Sequence, residues 1–312
     1  MSTNPVATAP DSAPAPIAST RLPVWLGSVI GVAAAVIGLL PWLATGMRLP
    51  LQNLWNATDP DAMPMVLLPF SQYYLTTLFG LIVTGSVAAG VAARALRARM
   101  PRGGLLLVVC GALTIQIIAV VQTTFVVQAG LQEGWESTLY VVAIVAVCVL
   151  SVLLGAGVLV LVAGAPRAGA LIGLTIGAIA VGDWLSAWLR PFQITAGEAV
   201  YTLSAVLQWV PAILVGVAIA WTGLRSVGRV IAALASLALL WIAPALITGV
   251  SAAAGTRVLA RHPAEMLDYA WGVFGMALFV PEIALRPIAT AVVVAAAGLG
   301  VSWLIRRARR EP

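Results

Sequence analysis

Residues 169–190, GALIGLTIGAIAVGDWLSAWLR, restrict the possible folds more than any other stretch of this chain. Roughly 20 apolar residues rising about 1.5 Å each match the ~30 Å hydrocarbon core of a bilayer. Gly169, Gly173 and Gly177 recur every fourth residue. They therefore line one side of a helix and open a groove in which another helix can approach to backbone contact. Asp183 interrupts the apolar run near its far end, and Ser186 and Arg190 follow three and seven residues later on the same side. These features predict the central, buried helix of a membrane bundle.

Seven further runs have similar length and character: residues 24–45, 72–94, 104–126, 139–163, 201–222, 230–250 and 287–305. The chain is 61% hydrophobic and 9% charged, with a mean hydropathy of +1.03. Soluble domains carry about 25% charged residues, so a water-soluble fold is excluded. The expected fold is an all-α polytopic membrane protein, a bundle of about eight transmembrane helices with the lipid bilayer as its principal partner. A cleaved signal peptide has an apolar region of only about 7–15 residues. The first run is longer and continues into Pro41 and Trp42, which favours an uncleaved signal-anchor helix.

Arginine placement sets the orientation. The net charge of +6 comes from 17 arginines, because no lysine occurs. With the N-terminus inside, the inner segments hold twelve of them: Arg21, Arg94, Arg97, Arg99, Arg102, Arg167, Arg225, Arg229, Arg306, Arg307, Arg309 and Arg310. The outer segments hold Arg48, Arg190, Arg257, Arg261 and Arg286. This bias puts both termini in the cytoplasm and makes the basic balance a topology signal, not a nucleic-acid footprint. The arginine-only, alanine-rich composition suggests a high-GC bacterium, hence its plasma membrane.

The expected organisation is a disordered Ala/Pro/Ser/Thr-rich tail (1–23), one transmembrane domain (24–305) and a short basic tail (306–312). The two long external loops, 46–71 and 251–286, are where folded outer structure is expected. Within the second, residues 269–285 are apolar enough to suggest a ninth span. A ninth span would put the terminal arginines outside, so an interfacial or re-entrant helix is expected instead. Residues 41–46 (PWLATG) resemble 244–249 (PALITG), and at the same offset Pro60 matches Pro263 and Met63 matches Met266. These matches raise a duplicated hairpin, set against chance matching in an Ala/Leu/Gly-rich chain.

Few residues carry candidate chemistry. Asp183 is the foremost, because a carboxylate within a bilayer costs about 2.5–3.5 kcal/mol on insertion scales and normally faces a cavity or a partner. A proton or cation relay would use it, with Ser186 and Arg190 beside it; the structural alternative is a pair with Arg190 near the outer interface. Glu282 and Arg286 have the spacing of a helical ion pair, expected to start the last span. His262, Glu265 and Asp268 have ligand chemistry, but the chain has only one histidine. A helix start is the favoured reading, with Pro263 at the first position and Glu265 near the positive end of the dipole. Gln116, Thr123, Gln128 and Gln208 could line a polar path or bond between helices. Cys110 and Cys148 show no metal or disulfide spacing.

No nucleotide-binding loop, nucleophile elbow or zinc-protease motif occurs, so neither an enzyme nor a cofactor is expected. Two functional classes remain. One is a non-catalytic subunit or scaffold of an envelope or transport assembly, with a membrane-protein partner or a second copy on the glycine stripe. The other is a permease for a small or hydrophobic solute using Asp183. The scarcity of buried charge leans towards the subunit.

Overall fold

A computed structural model describes residues 22–50, 54–56, 63–192, 197–256, 259 and 262–309, without the side chains of Phe192, Glu282 and Ile283. The expected tail up to Arg21, Pro60 of the resembling stretches, and Arg257, Arg261 and Arg310 lie outside the described residues. Ten α-helices follow one another: α1 (Leu26–Ala44), α2 (Leu75–Leu96), α3 (Gly104–Gly130), α4 (Trp135–Gly164), α5 (Arg167–Leu189), α6 (Glu198–Leu207), α7 (Val210–Thr222), α8 (Val227–Gly255), α9 (Pro263–Leu278) and α10 (Pro281–Ala308). Eight stretches are long and apolar enough to cross a membrane, α6 and α7 together forming one of them. The protein is thus an all-α, multipass membrane protein.

The breaks have local causes. Proline has no N–H and its ring crowds the preceding turn. Pro211 therefore leaves the Leu207 carbonyl without its helical donor, and α6 stops at Leu207 before α7 starts at Val210. Pro281 likewise follows the extended Val280 (φ −72°, ψ 118°) and opens α10. Pro41, Pro244 and Pro287 instead sit inside α1, α8 and α10.

The helices form two groups with the same packing scheme. In the first, α1 packs on α2 and α3, and α4 on α2 and α3. In the second, α5 packs on α7 and α8, and α10 on α7 and α8. The groups meet mainly where α5 lies against α2 and α4.

Close approach at small residues sets these contacts. A Cβ on Gly31 would collide with the Val108 carbonyl of α3, and one on Gly38 would lie 2.5 Å from the Leu81 carbonyl of α2. The glycine stripe on α5 also meets neighbours: Gly173 faces Val162 and Leu161 of α4, Gly177 faces Val87 of α2, and Gly169 lies on Ala165 and Leu161. The centre of the bundle, however, is α2, not α5. In its apolar stretch 67% of residues are buried, against 44% in α5. The reason is that α2 is small-sided all round: Gly85 faces α1, Ser86 and Gly90 face α4, and Gly80 faces α5.

The connection between α1 and α2, expected to be external, folds against the helices. Phe70 and Leu68 are fully buried, in one cluster with Leu49, Val66, Leu78, Val127 and Ile144. Its backbone is pinned from several sides: Leu68 N–H donates to Thr123 Oγ1 (3.0 Å), Leu67 N–H to Gln122 Oε1 (3.0 Å), and Trp42 Nε1 to the Val66 carbonyl (2.8 Å). Trp55 lies across Gly130, where any side chain would overlap the indole.

The second external region differs from expectation. The seventh pass runs on to Gly255, and residues 269–285 are divided between the end of α9 and the start of α10. Gly249 faces the Ala270 carbonyl and Phe274, and Trp241 Nε1 donates to the Leu278 carbonyl at 2.8 Å. Trp241 is at the midpoint of α8, so α9 packs antiparallel along the C-terminal half of α8. The pairs Gly216–Ala291 and Ala220–Gly298 show α10 running parallel to α7. Hence α9 and α10 run in the same direction, and the eighth span, Ala284–Ala308, lies within α10. The resembling stretches share a proline inside a helix and a back-bonded threonine, Thr45 to the Pro41 carbonyl and Thr248 to that of Pro244. Beyond those residues one continues into an irregular loop and the other into α9.

Replacing Gly31 by leucine should force α1 off α3 and cost about 3 kcal/mol, the upper range for overpacking. Gly272→Leu, where a Cβ meets nothing within 4 Å, serves as the control. Folded yield in detergent should fall sharply for the first and hold for the second; equal yields would contradict the backbone contact.

Candidate functional site

Asp183 occupies the junction of α2, α5 and the start of α7. A Cβ on Gly80 would lie 2.9 Å from both Asp183 Cβ and Trp184 N, so the backbone of α2 passes directly behind the carboxylate-bearing turn. On the other side, a Cβ on Gly182 would lie 2.7 Å from Pro211 Cγ, which brings the α6–α7 break to the same turn. Trp184 Nε1 donates to the Gly38 carbonyl of α1 at 2.9 Å and fixes the rotation of α5 about its axis.

The depth follows from helical rise. Gly80 is about 21 Å along α2 from Arg94, and Asp183 about 24 Å along α5 from Arg167. Arg94 and Arg167 share the Trp221 ring, at 5.1 and 5.6 Å from its centroid, so they mark one level at the basic end. The Asp183 turn is therefore within the apolar span. The Trp241–Leu278 bond puts the α9–α10 break about 21 Å along α8, a comparable depth. The α6–α7 and α9–α10 breaks therefore lie near the level of Asp183.

The carboxylate is half-buried and, among the described residues, makes no hydrogen bond or ion pair. Of the residues expected to accompany it, Arg190 acts on it electrostatically without forming an ion pair, and Ser186 does not bond to it. Arg190 is turned onto the start of α2, with its guanidinium 4.6 Å from the Tyr74 ring centroid and Nη2 3.4 Å from Thr76 Oγ1. Ser186 is exposed and its hydroxyl donates within its own helix to the Gly182 carbonyl at 2.9 Å. Two hydroxyls not anticipated from the sequence share the Gly80 side of α2. Thr77 and Thr84 are 2% and 7% exposed, and neither Oγ1 has a hydrogen-bond partner. Their signal in the sequence is the spacing Thr77–Gly80–Thr84, which places all three on one helix face.

The other candidates are structural in placement. Gln116 Nε2 bridges α3 to α2 by donating to the Ile82 carbonyl (3.0 Å) and Ser86 Oγ (2.9 Å). Thr123 holds the first external loop, Gln128 is exposed, and Gln208 lies at the α6–α7 break, donating to the Ala205 carbonyl at 2.7 Å. His262, Glu265 and Asp268 are exposed at the beginning of α9, with Pro263 at its first position and no cap bond from the histidine side chain. No group of three potential metal ligands occurs among the described residues. The side chain of Glu282 is outside the described set, and Arg286 is exposed in the second turn of α10. That helix begins at Pro281, so Pro287 lies within it and not before it.

This arrangement offers a negative charge at the meeting point of several helices, near two places where backbone groups are released from helical pairing. Such a group can bind a cation or exchange a proton. Trp184→Phe keeps the ring but removes the donor to Gly38, and should lower stability by about 1 kcal/mol. A thermal midpoint in detergent equal to that of wild type would show that this bond carries no weight. No protein-family model, curated protein or solved structure matches this chain.

Proposed function

We propose that the protein is a permease of a bacterial plasma membrane, with both termini cytoplasmic, that moves a small cationic solute or couples transport to a proton through Asp183. The observation that carries this reading is the Asp183 carboxylate itself, within the apolar span, with no hydrogen bond or ion pair among the described residues and only the more distant charge of Arg190 acting on it, at the level of the α6–α7 and α9–α10 breaks. Interrupted helices within the apolar span are a recurring way to build solute and ion sites in transporters. The two similarly packed helix groups, meeting at α2 and α5 beside the carboxylate, supply a pair of bodies that could move against each other. The reading is non-catalytic and requires no cofactor.

The subunit reading keeps one specific observation in its favour. The end of α10 exposes Val301, Trp303, Leu304 and Ile305, and Gly298 pairs with Ala220 near the end of α7. This last apolar turn therefore extends past the neighbouring helix and offers a surface for another membrane protein. Mass spectrometry of material purified in mild detergent would reveal a stoichiometric partner if that reading holds.

Proteoliposomes on a solid-supported membrane, perfused in turn with inorganic monovalent cations and small organic amines, test the transport reading. At least one solute should evoke a transient current with wild type and none with Asp183→Asn of unchanged melting behaviour. Equal currents from the two proteins, or no current from wild type with any solute, would sink the proposal.

A further inference from the structure

The basic end of the bundle holds a second site, independent of Asp183. Between the last turn of α2, the connection to α3 and the end of α4 lies a cavity of about 260 Å³. Its lining is apolar, with Ala93, Met100, Leu105 and Ala163, except for Arg97. Arg97 is exposed, and its guanidinium makes no hydrogen bond among the described residues, so its donors are available.

The surroundings reinforce that charge. Arg94, one turn before, is committed to the end of α4, donating from Nη1 to the carbonyls of Val162 (2.6 Å) and Ala165 (3.0 Å). Its positive charge nevertheless remains beside the cavity, and Arg167 shares the Trp221 ring with it. Every described acidic side chain belongs to α5 near its C-terminal end, to the connection before α4, or to the starts of α4, α6 and α9, at the opposite end of the bundle. The first turn of α3 also lines the cavity, and the amides of Leu105 and Leu106 find no acceptor among the described residues.

We propose that this cavity binds the phosphate group of an anionic phospholipid, held by Arg97, with the upper part of an acyl chain against the apolar wall. Phosphate is the chemistry that a free guanidinium and unpaired amides recognise together. Free phosphate would present the same oxyanion, but the apolar lining and the position where the spans end select a lipid. Basic pockets between transmembrane helices on the cytoplasmic side suit such headgroups.

Native mass spectrometry on the full chain, delipidated in detergent and titrated with phosphatidylglycerol, phosphatidylcholine or inorganic phosphate, tests this. Phosphatidylglycerol should be retained in preference to phosphatidylcholine, and Arg97→Gln should lower that retention about fivefold. Arg309→Gln, on the same basic end but in a helix that does not pack on α2, α3 or α4, should leave it unchanged. Equal retention of the two lipids, or no effect of Arg97→Gln, would overturn the site. Displacement of phosphatidylglycerol by millimolar inorganic phosphate would overturn its assignment to a lipid.

Discussion

The structure depends on helices approaching to backbone contact without a hydrophobic driving force between them. Lipid tails are as apolar as leucine, so association in a bilayer rests on van der Waals fit and on polar groups satisfied across helices. α2 meets this requirement on every side. Gly80, Gly85, Ser86 and Gly90 face three different neighbours, and each admits a backbone or a short side chain where a larger residue would hold the helices apart. The first helix group assembles on α2, and the second is joined to it through α5. The candidate site is a consequence of this packing, because only a glycine at position 80 lets α2 pass behind Asp183.

Within that frame, polar groups are handled by specific partners. Three indole N–H groups, of Trp42, Trp184 and Trp241, each donate to a backbone carbonyl of another segment. Trp241 serves the final carbonyl of α9, which a helix end would otherwise leave unpaired. Arg94 does the same for the end of α4 and complements the negative end of its dipole. Against this background the buried side-chain atoms left without a hydrogen-bond partner stand out: Thr77 and Thr84 Oγ1 on α2, and elsewhere Gln116 Oε1, Thr222 Oγ1 and Ser236 Oγ. Thr77 and Thr84 share the helix face that meets Asp183, which places a polar strip beside the junction of the two helix groups.

Much of the fold was legible in the sequence, for identifiable reasons. Long apolar runs admit one solution in a bilayer, so all eight passes were visible, along with the isolation of Asp183 and the start of α9 at Pro263. Depth and rotation were not legible. The stripe Gly169–Gly173–Gly177 singled out α5 as the centre because its period is regular. The small residues of α2 surround that helix instead of forming a stripe, and so carry no simple period. Arg190 shares a helix side with Asp183 by spacing, yet its long side chain is taken by Tyr74 and Thr76, contacts between segments more than a hundred residues apart. The break at Gln208 and Trp209 was hidden inside a run whose overall hydropathy reads as one span, although Pro211 marked it. Similarly, residues 269–285 read as one apolar segment because hydropathy does not register the turn before Pro281.

The central claim is that the Asp183 carboxyl group is uncommitted and reachable inside the folded bundle. Treatment of membranes with a hydrophobic carbodiimide, followed by peptide mass spectrometry, addresses it directly. The account predicts a stable adduct on Asp183 in the folded protein, suppressed when a transported cation occupies the site. An Asp183 that stays unmodified in the folded protein and reacts only after unfolding would mean that the carboxylate is sealed or paired, contradicting the account.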